Sequence, residues 1–170
     1  FCPADASGDA HLFSRQLAKR CEELGVQFVM DRQITGWDHS ADRIHAVRTD
    51  KGPITGDRFV LALGSYSPLL ASKLGYRLPV YPVKGYSMTL PIRPGDEAPT
   101  LGGVDEHNLV AWARFGNRLR FTATAEFAGY DTAHTPRDFE DMLGVARQLF
   151  PRGADYGSPS YWSCLRPMTP

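Results

Sequence analysis

Arg166 stands between Leu165 and Pro167, with Tyr161 and Trp162 shortly before it. A guanidinium stays charged at any working pH and presents a planar fork of donors, so among apolar neighbours it calls for an anionic partner, ideally a carboxylate bound bidentately. Two sources fit: a carboxylate of the protein, giving a structural ion pair, or that of a small ligand. A second position of interest is the turn Ala62-Leu63-Gly64-Ser65-Tyr66-Ser67, which closes the apolar run Phe59-Val60-Leu61-Ala62-Leu63. Small residues there let a ligand approach the backbone. The same glycine serves equally well in an ordinary strand-to-loop turn. The remaining reactive residue types form no pattern. His11, His39, His45, His107 and His134 lack metal-ligand spacing, and Ser65, Ser67 and Ser163 lack a nucleophile-elbow context. Cys2, Cys21 and Cys164 are odd in number and widely spaced, fitting neither a disulfide framework nor a Cys-x-x-Cys site. No catalytic side chain and no metal site is expected.

The elements that must hold these positions are legible in part. Asp9 can cap a helix with Phe13, Leu17, Cys21 and Leu24 on one face, ended by Gly25. Val26 to Met30 and Ile44 to Arg48 have strand character, and the apolar run at 59–63 reads as a strand covered on both faces, as in a parallel sheet. After a proline-rich stretch with Pro79, Pro82, Pro91, Pro94 and Pro99, a hairpin is predicted across 108–127 with Gly116-Asn117 as its turn. Its alternating apolar positions are Leu109, Ala111, Ala113 and Phe115, then Leu119, Phe121, Ala123, Ala125 and Phe127. Thr135, Pro136 and Asp138 then open a helix over 136–149 with a stripe of Phe139, Met142, Leu143, Ala146 and Leu149, stopped by Pro151. The fold class is mixed, α/β followed by α+β, in two lobes.

Composition excludes several functions. The 170 residues are 42% hydrophobic and 22% charged, which places the chain among ordinary globular domains. Nineteen basic and nineteen acidic residues leave no field of one sign, so neither nucleic acid nor an anionic membrane surface is an expected partner. No apolar run reaches the roughly 20 residues of a membrane helix, and no signal peptide opens the chain. A cytoplasmic location is expected, with any membrane association peripheral, at the inner face. The chain begins at Phe1-Cys2-Pro3 without an initiator Met and stops at Pro170, so an internal piece of a longer polypeptide is expected.

Four segments in order carry a family resemblance: Gly8-Asp9 with its helix; Ala62-Leu63-Gly64-Ser65-Tyr66-Ser67; Pro79-Val80-Tyr81-Pro82-Val83-Lys84-Gly85-Tyr86-Ser87; and Tyr161-Trp162-Ser163-Cys164-Leu165-Arg166-Pro167-Met168-Thr169-Pro170. The chain resembles the D-amino acid dehydrogenase small-subunit family, within the D-amino acid oxidase and glycine oxidase superfamily of FAD-dependent oxidoreductases. The resemblance implies part of an FAD-binding Rossmann-like lobe at 1–79, an antiparallel-sheet substrate lobe with a packed helix at 80–162, and a return segment at 163–170.

By the same resemblance, Ile34 or a neighbour is expected at the adenine of FAD, Ala62, Leu63 and Gly64 are expected to approach the dinucleotide, and Tyr66 stands where relatives often have Trp. Lys84 and Gly85 belong to the cofactor-side crossing between lobes. Arg166 matches the arginine that holds the substrate carboxylate, and Ala125 a position near the substrate side chain. Two departures stand out: Thr122-Ala123-Thr124 replaces a more glycine-rich stretch, and Cys164 sits where Gly is common. The implied reaction oxidises a small D-amino acid to a 2-oxo acid and ammonia, with the electrons passing to a quinone or other electron-transfer partner. No Gly-x-Gly-x-x-Gly run occurs in the chain, so the isolated piece is expected inactive and without tightly held FAD. A glycine or sarcosine-type amine oxidase and a non-catalytic binding domain are the alternatives. A nicotinamide enzyme is disfavoured by the missing fingerprint.

Overall fold

The computed structural model describes residues 4, 6 and 8–170; Cys2 and Ser7 lie outside the described residues. Two compact units form. One is built on Pro82–Arg166 with the start of the chain up to Phe13, and the other on Ser14–Tyr81 with Pro167–Pro170.

Helix α1, Ala10–Glu23, begins as its sequence dictates: the Asp9 carboxylate accepts the Leu12 amide hydrogen at 3.0 Å. It ends in a Schellman turn, with Gly25 at φ 89°, its amide donating to Glu22 and the Val26 amide to Cys21. The expected stripe exists but is not buried. Phe13, Leu17 and Leu24 are all more than half exposed.

In the second unit, β1 (Ile34–His39), β2 (Ile44–Thr49) and β3 (Gly52–Thr55) make an antiparallel meander in that order. Trp37 of β1 is buried, and its indole donates to the Leu70 carbonyl at 2.9 Å. Leu70 lies in the short helix α2, Ser67–Ala71, which a 3-10 turn at Gly64–Tyr66 introduces. The predicted strands at 26–30 and 59–63 do not form. Neither run pairs with another strand among the described residues, and Val60 is 90% exposed. A strand covered on both faces needs neighbours on both sides, and the described residues supply none to these runs.

The first unit holds a five-stranded sheet of order β5-β6-β7-β4-β8, from β4 (Tyr81–Pro91), β5 (Gly103–Asp105), β6 (Val110–Phe115), β7 (Arg118–Glu126) and β8 (Ser160–Met168). The predicted hairpin is β6-β7, with Phe115 paired to Arg118 around Gly116 at φ 62°, the turn geometry a two-residue loop requires. Its inner face differs from the expectation. Val110 and Trp112 face the core opposite Phe121, whereas Leu109 is exposed and Ala111, Ala113 and Phe115 lie on the other face. Pairing Phe115 with Arg118 aligns even positions of β6 with odd positions of β7 and so decides the parity. Phe127 is exposed as well.

The expected 136–149 helix forms as a 3-10 turn, Pro136–Phe139, running into α3, Glu140–Leu149. Phe139, Met142 and Ala146 are buried against Met88, Leu90, Leu119 and Phe121, while Leu149 of the predicted stripe is exposed. Met88 pairs with Phe121 and Leu90 with Leu119 across β4 and β7, so two strands and one helix share this core.

Candidate functional site

Side chains alternate across a strand, so Leu165 of β8 is buried and Arg166 points to the opposite, exposed face. The surroundings of its guanidinium are therefore the neighbouring strands and not its sequence neighbours. The side chain crosses β4 above Gly85 and donates from Nη2 to the Thr124 carbonyl of β7 at 2.7 Å. A Cβ placed on Gly85 would lie 2.6 Å from Nε, 2.7 Å from Nη2 and 3.0 Å from Cζ of Arg166. The register explains the acceptor. Gly85 pairs with Ala125 and Tyr86 with Ala123, which leaves Thr124 as the extra residue of a β-bulge, at φ 63°. No carboxylate among the described residues pairs with Arg166.

Arg166 and Ala125 line one concavity of about 890 Å³, together with Ala111, Thr122 and Ala123 of β6 and β7 and Glu140 of α3. Small side chains on β6 and β7 keep it open. Beside it lies a polar cluster that sequence inspection missed. The buried Lys84 ammonium donates to the Ala133 carbonyl at 2.5 Å, sits 3.6 Å from the Glu126 carboxylate and lies 5.2 Å from the centre of the Tyr86 ring. The Tyr86 hydroxyl donates to the same Glu126 oxygen. The neighbouring Tyr86 hydroxyl holds the Lys84 pKa above its ordinary value against the opposing effect of burial, and Glu126 adds to the rise. Burial pushes the Tyr86 phenol up. Lys84 is thus engaged within its own unit, its ammonium by Ala133 and Glu126 and its backbone in a strand with neighbours on both sides. Ser163 donates to the Thr132 carbonyl at 2.7 Å and contacts His134 Nδ1 at 2.8 Å, an arrangement that makes Nδ1 the protonated nitrogen. Both contacts tie the 132–134 loop to β8.

The remaining candidates lie in the other unit. Ile34 opens β1, and Ala62, Leu63 and Gly64 form an exposed turn in which Gly64 has φ 52°. The Leu63 amide donates to Ser67 Oγ at 3.1 Å, which fixes the turn's closure. Ile34, Leu63 and Tyr66 are each between a third and a half exposed. Arg166, Ala125, Gly85 and Lys84 therefore form one cluster, and Ile34 with the 62–66 turn belongs to a different unit. Thr124, Tyr86 and Glu126 were not foreseen. The replacement of a glycine-rich stretch by Thr122-Ala123-Thr124 was the signal that could have exposed Thr124, since glycine is the residue suited to its backbone angle. Among the described residues no group of three or more His, Cys, Asp or Glu is placed to hold a metal, and no helix is long and apolar enough to cross a membrane.

Comparison with known proteins gives a consistent picture. The family described as FAD dependent oxidoreductase (DAO) matches residues 1–170. D-amino acid dehydrogenase 2 of Mesorhizobium japonicum is 46% identical over 171 residues, covering 100% of this chain and 41% of that protein. D-amino acid dehydrogenase of Granulibacter bethesdensis is 47% identical over 168 residues, covering 99% of the chain and 40% of that protein. The chain thus spans about 40% of the length of the curated relatives it matches. Among solved structures, iminodiacetate oxidase from Chelativorans sp. BNC1 superposes with a TM-score of 0.78 at 21% identity, over 95% of this chain and 43% of that one. L-proline dehydrogenase from P. horikoshii gives 0.77 at 19% identity, over 99% and 46%. At these identities the structural likeness speaks for the fold.

Proposed function

The chain belongs to the FAD-dependent oxidoreductase family, and from that premise we propose that the full-length protein oxidises a small D-amino acid to a 2-oxo acid and ammonia. The observation that carries the substrate class is Arg166: a guanidinium held by a backbone carbonyl, without a carboxylate partner among the described residues, in a concavity to which β6 and β7 contribute small residues. Arg166 takes the substrate carboxylate bidentately through its remaining donors. Fixing that end sets the direction of the α-hydrogen and reduces the reaction to one oriented encounter. Ala125, opposite Gly85, leaves room for the substrate side chain.

The residues present fit the ring portions of FAD. Ile34, Leu63 and Tyr66 offer partly exposed apolar surface, and the 62–64 turn leaves its backbone open to a flat ligand. These residues carry no cation for the phosphates. Bound FAD supplies the acceptor for the hydride equivalent that turns the amine into an imine, which water then hydrolyses. The relatives named dehydrogenases support a quinone or other electron carrier as the proposed acceptor, and a cytoplasmic location at the inner face of the membrane is proposed with it.

The test is flavin bleaching in the full-length protein under anaerobic conditions. D-amino acids should reduce the flavin and yield the matching 2-oxo acid, with L-amino acids, glycine and sarcosine at least tenfold slower, a discrimination one well-placed contact supplies. Equal or faster reduction by glycine or sarcosine would move the assignment to the amine oxidases. No flavin reduction by any amine would favour a binding domain.

A further inference from the structure

We propose that Gly85 is a positioning residue for Arg166, its missing side chain forming the floor on which the guanidinium rests while the Thr124 carbonyl holds its far end. The inference deepens the proposed function and rests on the reading of Arg166 as the carboxylate-binding group.

Arg166 starts on β8, at the edge of the sheet, and its hydrogen-bond acceptor lies two strands away on β7. The side chain must therefore pass over β4, and it does so at Gly85. The backbone of Gly85 has no left-handed angle, so turn geometry does not explain the glycine. The Arg166 side chain does. A Cβ would meet three guanidinium atoms at 2.6 to 3.0 Å. Restoring ordinary contact requires the guanidinium to retreat by roughly 0.8 Å, a displacement of the size that costs a reaction about 10- to 100-fold when it misplaces a reacting group.

The other end of the device is the bulge. Only an extra residue in β7 between the partners of Gly85 and Tyr86 makes Thr124 the interruption of the ladder. Its carbonyl takes the Arg166 Nη2 hydrogen at 2.7 Å. A threonine at φ 63° is held there against its own preference, so the surrounding sheet over-determines this carbonyl's position. Floor and acceptor together fix a long, exposed and otherwise mobile side chain in one orientation, as a carboxylate receptor requires.

The test is a double-mutant cycle in the full-length, flavin-loaded protein with Gly85→Ala, Arg166→Ala and the double variant. It is read by kcat/KM with a D-amino acid, by calorimetric titration of propionate as a carboxylate without an amine, and by thermal midpoint. Gly85→Ala should weaken propionate binding and kcat/KM by about tenfold or more, and in the Arg166→Ala background should change both by less than about twofold. Any loss of thermal midpoint or flavin loading caused by Gly85→Ala should be restored by Arg166→Ala to the level of Arg166→Ala alone, which keeps the test decisive where the single variant folds poorly. Equal losses in both backgrounds, or a folding defect that Arg166→Ala does not rescue, overturn the positioning role. If Arg166→Ala is severe and Gly85→Ala silent, the positioning role alone falls. If Arg166→Ala leaves propionate binding and kcat/KM unchanged, the reading of Arg166 itself fails.

Discussion

At the scale of single residues, Thr124 shows how a site can be built at a local cost. A β-branched residue with φ 63° occupies a region in which its Cβ crowds the following carbonyl oxygen. Glycine removes the crowding and loses part of the gain through greater freedom in the unfolded chain, so Thr124→Gly should raise stability by about 0.5 to 1 kcal/mol. The urea midpoint of the variant measures this, and a lower midpoint would show that the Thr side chain contributes more than its backbone angle costs. Arg166 stands out in the sequence by its apolar neighbours, and the structure gives its guanidinium different surroundings. Its apolar sequence neighbours face the other side of β8, and its contacts are Gly85 and the Thr124 carbonyl. Such contacts between strands depend on register, which a single strand's sequence does not encode.

Elements were read best where capping and turn chemistry is local. The hairpin turn at Gly116-Asn117, the Asp9 cap and the Thr135-Pro136-Asp138 helix start all form. The long strand β4 was not foreseen, because Pro82 and Pro91 near its ends and the buried Lys84 within it mask its strand character. The alternation of β6 was assigned to the wrong face, because register with β7 and not composition decides which side meets α3.

The helix start offers a pH test. The Asp138 carboxylate accepts the Thr135 amide hydrogen at 2.7 Å, and that hydrogen bond holds its pKa below the ordinary carboxylate value. A depressed folded-state pKa contributes stability that is fully present above the unfolded value of about 3.9 and is lost as pH falls through the folded one. Asp138→Asn should therefore be less stable than the parent at neutral pH, and the gap should close below about pH 4. Urea midpoints across pH check this. A gap independent of pH would show that the carboxylate's charge contributes nothing at this cap.

At the scale of the whole molecule, the exposed faces make sense beside the length comparison. The stripe of α1 and the runs at 26–30 and 59–63 have the apolar character of buried elements, yet Phe13, Leu24, Met30 and Val60 are each at least two-thirds exposed. Relatives are more than twice as long, and we propose that the remainder of the polypeptide covers these faces and completes the flavin site. Sequence reading failed here for a physical reason: it recognises a strand by composition, whereas a strand exists only with the neighbours that pair with it. On the proposed function, activity depends on a flavin held largely by that remainder and on a substrate oriented from the sheet that carries Arg166. The separation of these roles gives the most direct test, steady-state kinetics of Arg166→Ala in the full-length enzyme with flavin occupancy measured on the same sample. Loss of the carboxylate contact should remove on the order of 3 kcal/mol of transition-state binding, a more than hundredfold fall in kcat/KM, with flavin content near wild type and Arg166→Lys intermediate. A fully loaded Arg166→Ala enzyme with near-normal kcat/KM for D-amino acids would contradict the account.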